Sequence, residues 1–373
     1  MDIVNELPIS KLIDKLALQK GDLLTFEDLK MELVNNPSKY CVRVKECDEL
    51  GVIYYEDGKN KPQQLPLPLQ LPLPLPLPLP LPEDTAIDIE NSCRSYIIDK
   101  SSLLPVGSQF NKIICNEEAI GLLNNVSWEN VAVYPCLEGT IMLVFNHSNR
   151  WYISTRRCIN SENSVWIKNK SYRQLFDETI EYKLKLEDLD PTYCYHFILI
   201  HHKNRNIVSY DQFGTNYKEI FHTMTTEKNT LREVNYKLPS NKIKTIDREK
   251  FKSLDHLLNA LKEISNSDEF NHRITSEGFI LRIYEGELFK SPFKVAKLQT
   301  NIYRRIDRMR PNNSNINQSY LELYQNDNLI EYLPYFTKYK KDILQRIHNS
   351  MKGIAKEILN IYHATRNKQN TEI

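Results

Sequence analysis

From Leu65 to Pro82, leucine and proline alternate almost without interruption, with Gln70 the single break. Proline at every second position removes half the backbone donors and pins φ at about −65°, so neither a helix nor a sheet ladder can pass through. The expected state is extended polyproline II, a stiff rod rising about 3.1 Å per residue. Globular structure must therefore be built from what lies on either side. The repeat reads as a linker or loop insertion over 61–84, or as a docking ligand for an aromatic-lined groove on a protein partner.

Ahead of the rod, residues 1–60 read as a small accessory unit. Ser10 is placed to cap a short helix that Gly21 ends, and Thr25 to cap a second one through Leu33. Tyr40–Val44 and Gly51–Tyr55 are rich in strand formers, and Asp57-Gly58 signals a turn. Behind the rod, 85–303 form the main domain. Strand-like runs there are Val131–Tyr134, Thr140–Phe145, Trp151–Ser154, Tyr193–Ile200, Asn206–Tyr210 and Gly278–Tyr284. Helical stretches, Tyr172–Ile180 and Phe251–Ile264, fall between them. Strands that often follow one another directly predict an α+β fold of antiparallel sheets with helices. Residues 304–373 read as a helical C-terminal extension. There Ile343, Ile347, Met351, Ile354 and Ile358 recur every three or four positions, a stripe expected to pack as core.

A chain of 373 residues with 41% hydrophobic and 26% charged side chains has ordinary globular composition. It lacks the run of about 18 apolar residues that a membrane span needs. The N-terminus, Met-Asp-Ile-Val-Asn-Glu, lacks the layout of a signal peptide. Seven scattered cysteines without C-x-x-C spacing point to reduced thiols in a cytosol-like compartment, and against a zinc site. The net charge of +1 predicts no polyanion binding by the chain as a whole. From Lys294 onward, however, fourteen Lys/Arg face seven Asp/Glu. Such an end can serve phosphate binding, or be a solvated helical face.

The segment with most chemical content is Val131-Ala-Val-Tyr-Pro-Cys-Leu-Glu-Gly-Thr-Ile-Met-Leu-Val-Phe145, read as strand, sharp Glu138-Gly139 corner, strand. Such a corner sets a carboxylate beside a glycine that admits a ligand close to the backbone. Downstream, Arg150–Arg157 is a strand ending in two guanidiniums suited to phosphate oxygens. Tyr195–Val208 reads as two strands joined by a polar turn. Ser276-Glu277-Gly278 repeats the Glu-Gly pattern before a β-run, and Phe293–Tyr303 sets lysines ahead of a tyrosine. Carboxylates, arginines and a lysine at strand ends are what a triphosphate with a divalent ion requires.

This ordered set resembles the covalent nucleotidyltransferase superfamily, and within it the phage-T4-type RNA ligases and the RNA-ligase-like proteins of large DNA viruses. The likeness covers roughly Val131 to Tyr324. It implies the adenylation-domain fold, ATP or GTP with Mg2+, and RNA ends as partners. It implies nucleotide binding by Glu138, Gly139, Arg156, Glu277, Gly278 and Lys297, with Glu277 also positioning the metal. Ser154 and Thr155 resemble the phosphate-facing strand end beside Arg156.

Three departures bear on activity. Cys136 occupies the slot of the nucleophilic lysine, Phe197-Ile198 replaces an expected Phe-Glu, and Gln299 stands where a second lysine is usual. Cys136 reads either as a thiolate nucleophile, which would be new chemistry for this family, or as a buried strand cysteine. Lys112, Lys168 and Lys170 are the lysines considered as relocated nucleophiles. Two functions stay open. One is an RNA-ligase-like protein with impaired or lost self-adenylation; the other is a non-catalytic RNA-binding or scaffold descendant. His196, His201 and His202 read as solvated turn residues rather than metal ligands, since His201 and His202 in a strand would face opposite ways and no carboxylate lies nearby in sequence. Trp151, Tyr152, Trp166 and Tyr172 suit either base stacking or core. Richness in Asn, Ile, Lys and Tyr, with the viral resemblance, points to a virus of the host cytoplasm, with the protein there or in the virion.

Overall fold

The computed structural model describes residues 7–55, 89–109, 111–167, 170–204, 206–289, 292–311, 315–335 and 341–369. The Leu-Pro repeat, the Asp57-Gly58 turn and Lys168 lie outside them. The architecture is α+β with mainly antiparallel sheets. It divides into two compact units: Met1–Asn204 with Asn216–Leu258 and Gly278–Gln299, and Arg205–Thr215 with Asn259–Glu277 and Thr300–Ile373.

The first unit opens with helices α1 (Pro8–Lys20) and α2 (Phe26–Asn35). Pro8 occupies the first turn of α1 after Leu7, so the helix starts ahead of Ser10 and Ser10 is no cap. Gly21 ends it at φ +63°. Thr25 does cap α2, in a reciprocal box with Asp28. A four-stranded antiparallel sheet follows: β1 (Val42–Cys47), β2 (Leu50–Tyr55), β3 (Tyr96–Asp99) and β4 (Pro105–Ser108), in that order. Ile9, Leu12, Leu29 and Leu33 of the helices cover one face, on Ile53, Tyr96 and Ile98. The other face, with Val52, Ile97 and Val106, packs on Leu143, Phe145 and Cys194. Covered on both sides, β2 is buried throughout.

The remaining strands of this unit are β5 (Ile114–Cys115), β6 (Val131–Cys136), β7 (Thr140–His147), β8 (Arg150–Ser154), β9 (Val165–Ile167), β10 (Lys170–Ser171), β11 (Tyr193–His201), β12 (Lys218–Glu227), β13 (Glu233–Val234), β14 (Lys244–Thr245), β15 (Gly278–Tyr284) and β16 (Phe293–Gln299). Helix α3 (Asn116–Leu123) follows β5. One sheet has the order β13-β12-β11-β7-β8, with β14 parallel to β12; another has the order β5-β16-β15-β6. Helix α4 (Tyr172–Ile180), capped by Ser171 in a box with Gln174, lays Leu175, Phe176 and Ile180 on Met142, Val144, Phe197 and Leu199. Burial of each such side chain contributes about 1.5–3 kcal/mol.

Helix α5 (Leu254–Phe270) runs from the first unit into the second. The second unit is built on Ile207, Val208, Ile274, Ile302, Tyr303 and Ile306, joined by Leu323, Tyr332 and Tyr335. It contains α6 (Asn301–Met309), α7 (Ile316–Gln325) and α8 (Lys341–Gln369). Two expectations fail here. Asn206–Tyr210 is not a strand: its apolar residues enter this core, and Ser209 N donates to Ile274 O at 2.8 Å without a ladder. The helix of the apolar stripe is present, but Ile354 and Ile358 are 62% and 63% exposed rather than core. Spacing specifies an apolar face; it does not specify what covers it.

Candidate functional site

The Glu138-Gly139 corner is not a hairpin. β6 pairs with β15 and β7 pairs with β11 and β8, so the corner carries the chain from one sheet into another. The crossing is close: a Cβ on Gly139 would stand 2.6 Å from Ile198 Cγ2 and 2.8 Å from Leu199 O. Only glycine lets β7 enter beside β11 at Thr140↔Leu199. Glu138 is half-buried at this crossing.

The second Glu-Gly meets the first through register. Gly278, the first residue of β15, lies opposite Cys136 on one side and Gln299 on the other. The next row on the same face is Tyr134, Ile280 and Lys297. Residues separated by some 160 positions thus share one end of one sheet face. Gly278 has φ +139°, and a Cβ there would fall 2.1 Å from Leu298 O. Cys136 is buried; Tyr134, Ile280, Lys297 and Gln299 are half-buried.

Further along this face Arg282 is buried, its Nη1 2.6 Å from Glu233 Oε1 and its Nη2 donating to Thr223 O at 2.9 Å. Its guanidinium lies 5.0 Å from the Tyr134 ring centroid and 5.2 Å from that of Phe293. Arg282 thereby bridges the β15 sheet to β12 and β13. Burial first, then His222 and Arg282, pushes His196 down to about 3. Burial first, with Arg282 adding, takes His222 to about 4. Both are neutral at pH 7. A cavity of about 120 Å³ lies beyond, lined by Ser92, Met224, Thr226, Glu233 and Phe293.

The remaining expected site residues have partners of their own. The half-buried Arg156 lies over the Tyr55 ring at 4.2 Å from its centroid, and its Nη2 donates to Tyr55 O at 2.8 Å. It thereby braces the N-terminal sheet. Ser154 is buried, its hydroxyl donating to Leu143 O at 3.4 Å, and Thr155 bridges to Cys158. Glu277 belongs to the second unit, 5% exposed, with its carbonyl accepting Thr300 N at 3.0 Å. Lys170 pairs with Glu178, and Lys112 with Glu90 at 2.9 Å. None of the seven cysteines forms a disulfide.

The histidine expectation needs correcting. β11 ends at His201, so His202 is already in the turn, and the two rings stack at 4.5 Å rather than facing apart. Glu178 Oε2 also approaches His201 Nε2 at 3.5 Å, a carboxylate invisible in local sequence. Tyr152 is core, stacked on Phe145 at 5.3 Å. Trp151 and Tyr172 pack against the core under α4. The bridge Arg282–Glu233 had no signal in the sequence, because its partners are 49 residues apart.

No family model matches the chain. A stretch of 116 residues is 30% identical to the "Immediate-early protein ICP-46 homolog" of Invertebrate iridescent virus 3, covering 29% of this chain and 26% of that protein. The match thus spans about a quarter of the relative's length. Among solved structures, a putative ATP-dependent DNA ligase from Aquifex aeolicus is similar at a TM-score of 0.45 and 12% identity, over 91% of this chain and 80% of that one. An archaeal ATP-dependent RNA ligase gives 0.45 and 12%, over 88% and 83%. No helix is long and apolar enough to cross a membrane among the described residues.

Proposed function

We propose that this chain is an RNA-ligase-like protein of the nucleotidyltransferase fold that binds a nucleotide and RNA ends, with self-adenylation impaired or lost. The observation that carries this reading is the cross-strand row Cys136–Gly278–Gln299 with Lys297 one row away. It unites three motifs of the sequence resemblance on one face, beside the Glu138-Gly139 crossing. In this reading Lys297 would offer an ammonium to the phosphates and Glu138 an acceptor to the ribose hydroxyls, while the two glycines serve the close strand packing beside them. Mg2+, when bound, would neutralise phosphate charge, and Glu277 is the residue proposed to hold it.

The nucleophile slot is what fails. Cys136 is 8% exposed and faces a glycine across the ladder. It supplies no amine for a phosphoramidate, and its side chain is too short to replace a lysine's reach. The iridescent-virus relative supports a large-DNA-virus setting, hence the host cytoplasm or virion.

Incubation with α-labelled ATP and Mg2+, followed by denaturation, tests the assignment. The expected result is reversible ATP binding that weakens at least about tenfold in Lys297→Ala, with no label surviving denaturation. A surviving label overturns the loss of self-adenylation. Absence of ATP and GTP binding at millimolar concentration overturns the nucleotide reading and leaves the scaffold.

A further inference from the structure

At another place in the first unit, three side chains from one turn and two strand ends converge. Glu49 lies in the β1–β2 turn, Asp99 ends β3, and His147 ends β7. Their ligand atoms all lie within 4.8 Å of one another. His147 Nε2 is 3.1 Å from Asp99 Oδ2 and 3.7 Å from Glu49 Oε2.

Two further observations separate this group from a casual ion pair. His147 Nε2 is buried and makes no hydrogen bond among the described residues, despite the carboxylate 3.1 Å away. The ring nitrogen is therefore not aligned on Asp99. Asp99 in turn is fixed through its other oxygen: Oδ1 accepts from the backbone and hydroxyl of both Ser101 and Ser102. Oδ2 is held toward the imidazole. Ser148 Oγ donates to Glu49 Oε2 at 3.0 Å and steadies the third group.

The 3.1 Å separation of His147 from Asp99 matches a coordination edge, and the exposed Glu49 at 3.7 Å needs to move by only a few tenths of an ångström to complete another. For an ion about 2.1 Å from each ligand, neighbouring ligands stand about 3.0 Å apart in octahedral and about 3.4 Å apart in tetrahedral geometry. The nearby cations are mostly committed: Arg150 to Asp48 and Lys100 to Glu46. Lys228, whose charge is felt by Asp99, leaves two carboxylates against one cation.

We propose that Glu49, Asp99 and His147 form a divalent-cation site of the Mn2+/Zn2+ class, which ties the N-terminal sheet to β7. An imidazole with two carboxylates favours such ions over Mg2+, which prefers oxygen and water. Glu49 is 69% exposed, so the ion enters from solvent and keeps water ligands. The role proposed is structural, because the three residues come from the β1–β2 turn, the end of β3 and the end of β7, which one ion would hold together.

Calorimetric titration of the EDTA-treated full chain tests it, with Mn2+ as the probe because cysteines outside disulfides compete for Zn2+. One equivalent is expected to bind and to raise the melting temperature. His147→Ala and Asp99→Asn should each weaken binding by about tenfold or more. If either variant fails to fold, Glu49→Gln, on an exposed side chain, gives the same reading. Unchanged Mn2+ affinity in the variants overturns the site, as does no uptake at about 1 mM or tighter binding of Mg2+ than of Mn2+.

Discussion

Gly278 sits where three strands and a motif meet, and a methyl group there has no room. The obstructing atom is a backbone carbonyl, and the positive φ adds strain of its own. Gly278→Ala should lower the unfolding free energy by about 3 kcal/mol, read by urea denaturation. Gly121 is the control. It lies within α3 with nothing within 4 Å of a built Cβ, so Gly121→Ala should stabilise by about 0.5–1 kcal/mol. Equal effects of the two changes would contradict the packing described for the crossing. The buried histidines make a second residue-level claim. His196 and His222 have pKa values depressed to about 3 and about 4, so above pH 6.5 they are neutral in both folded and unfolded chains. Below it the unfolded chain takes up protons that the folded chain refuses, and stability falls as pH drops toward 4. Each histidine contributes a slope of up to about 1.4 kcal/mol per pH unit in that window. His222→Asn should flatten the slope measured by denaturation between pH 6.5 and 4.5; an unaltered slope would refute the assignment.

At the level of elements, the sequence carried the local patterns and missed the long-range ones. Thr25 with Asp28 and the strand, Glu-Gly, strand run were legible because their partners lie within a few residues. Gly278 opposite Cys136 was not, because antiparallel register between distant strands leaves no local trace. The same limit hid that the two strands flanking the Glu-Gly corner belong to different sheets. Arg156, read as suited to phosphate, stands on Tyr55 of β2, a residue that no spacing links to it. β12 was overlooked although Glu219-Ile-Phe-His-Thr-Met-Thr-Thr226 is rich in strand formers. The stripe on α8 was read as core because period alone cannot distinguish a covered face from an open one. The exposure makes the difference measurable. Ile354→Gln with Ile358→Gln should leave the melting temperature within about 1 °C, whereas Ile302→Ala in the second unit's core should cost about 2–4 kcal/mol. A large loss from the α8 pair would mean that the helix is covered in solution.

For the whole molecule, a net charge near zero conceals opposed ends. The fourteen Lys/Arg from Lys294 onward exceed the acids there by seven, and the residues before it carry six more acids than bases. A polyanion is therefore drawn to the C-terminal part and repelled elsewhere, so an RNA partner, if the proposed function holds, should be held there. On α8, Lys352, Lys356 and Arg366 are exposed and can follow a phosphate backbone without loss of packing. Each phosphate contact to single-stranded RNA contributes about 0.7 to the slope of log affinity against log salt. Replacing all three by glutamine should therefore reduce that slope by about 2 and weaken binding to every sequence alike. Fluorescence anisotropy with a short labelled RNA, titrated from low to physiological salt, gives both numbers. A slope that stays put while affinity falls would mean that the glutamines disturbed the helix and not the phosphate contacts. An unchanged slope with unchanged affinity would move the RNA off the basic end altogether and leave its electrostatics without that ligand.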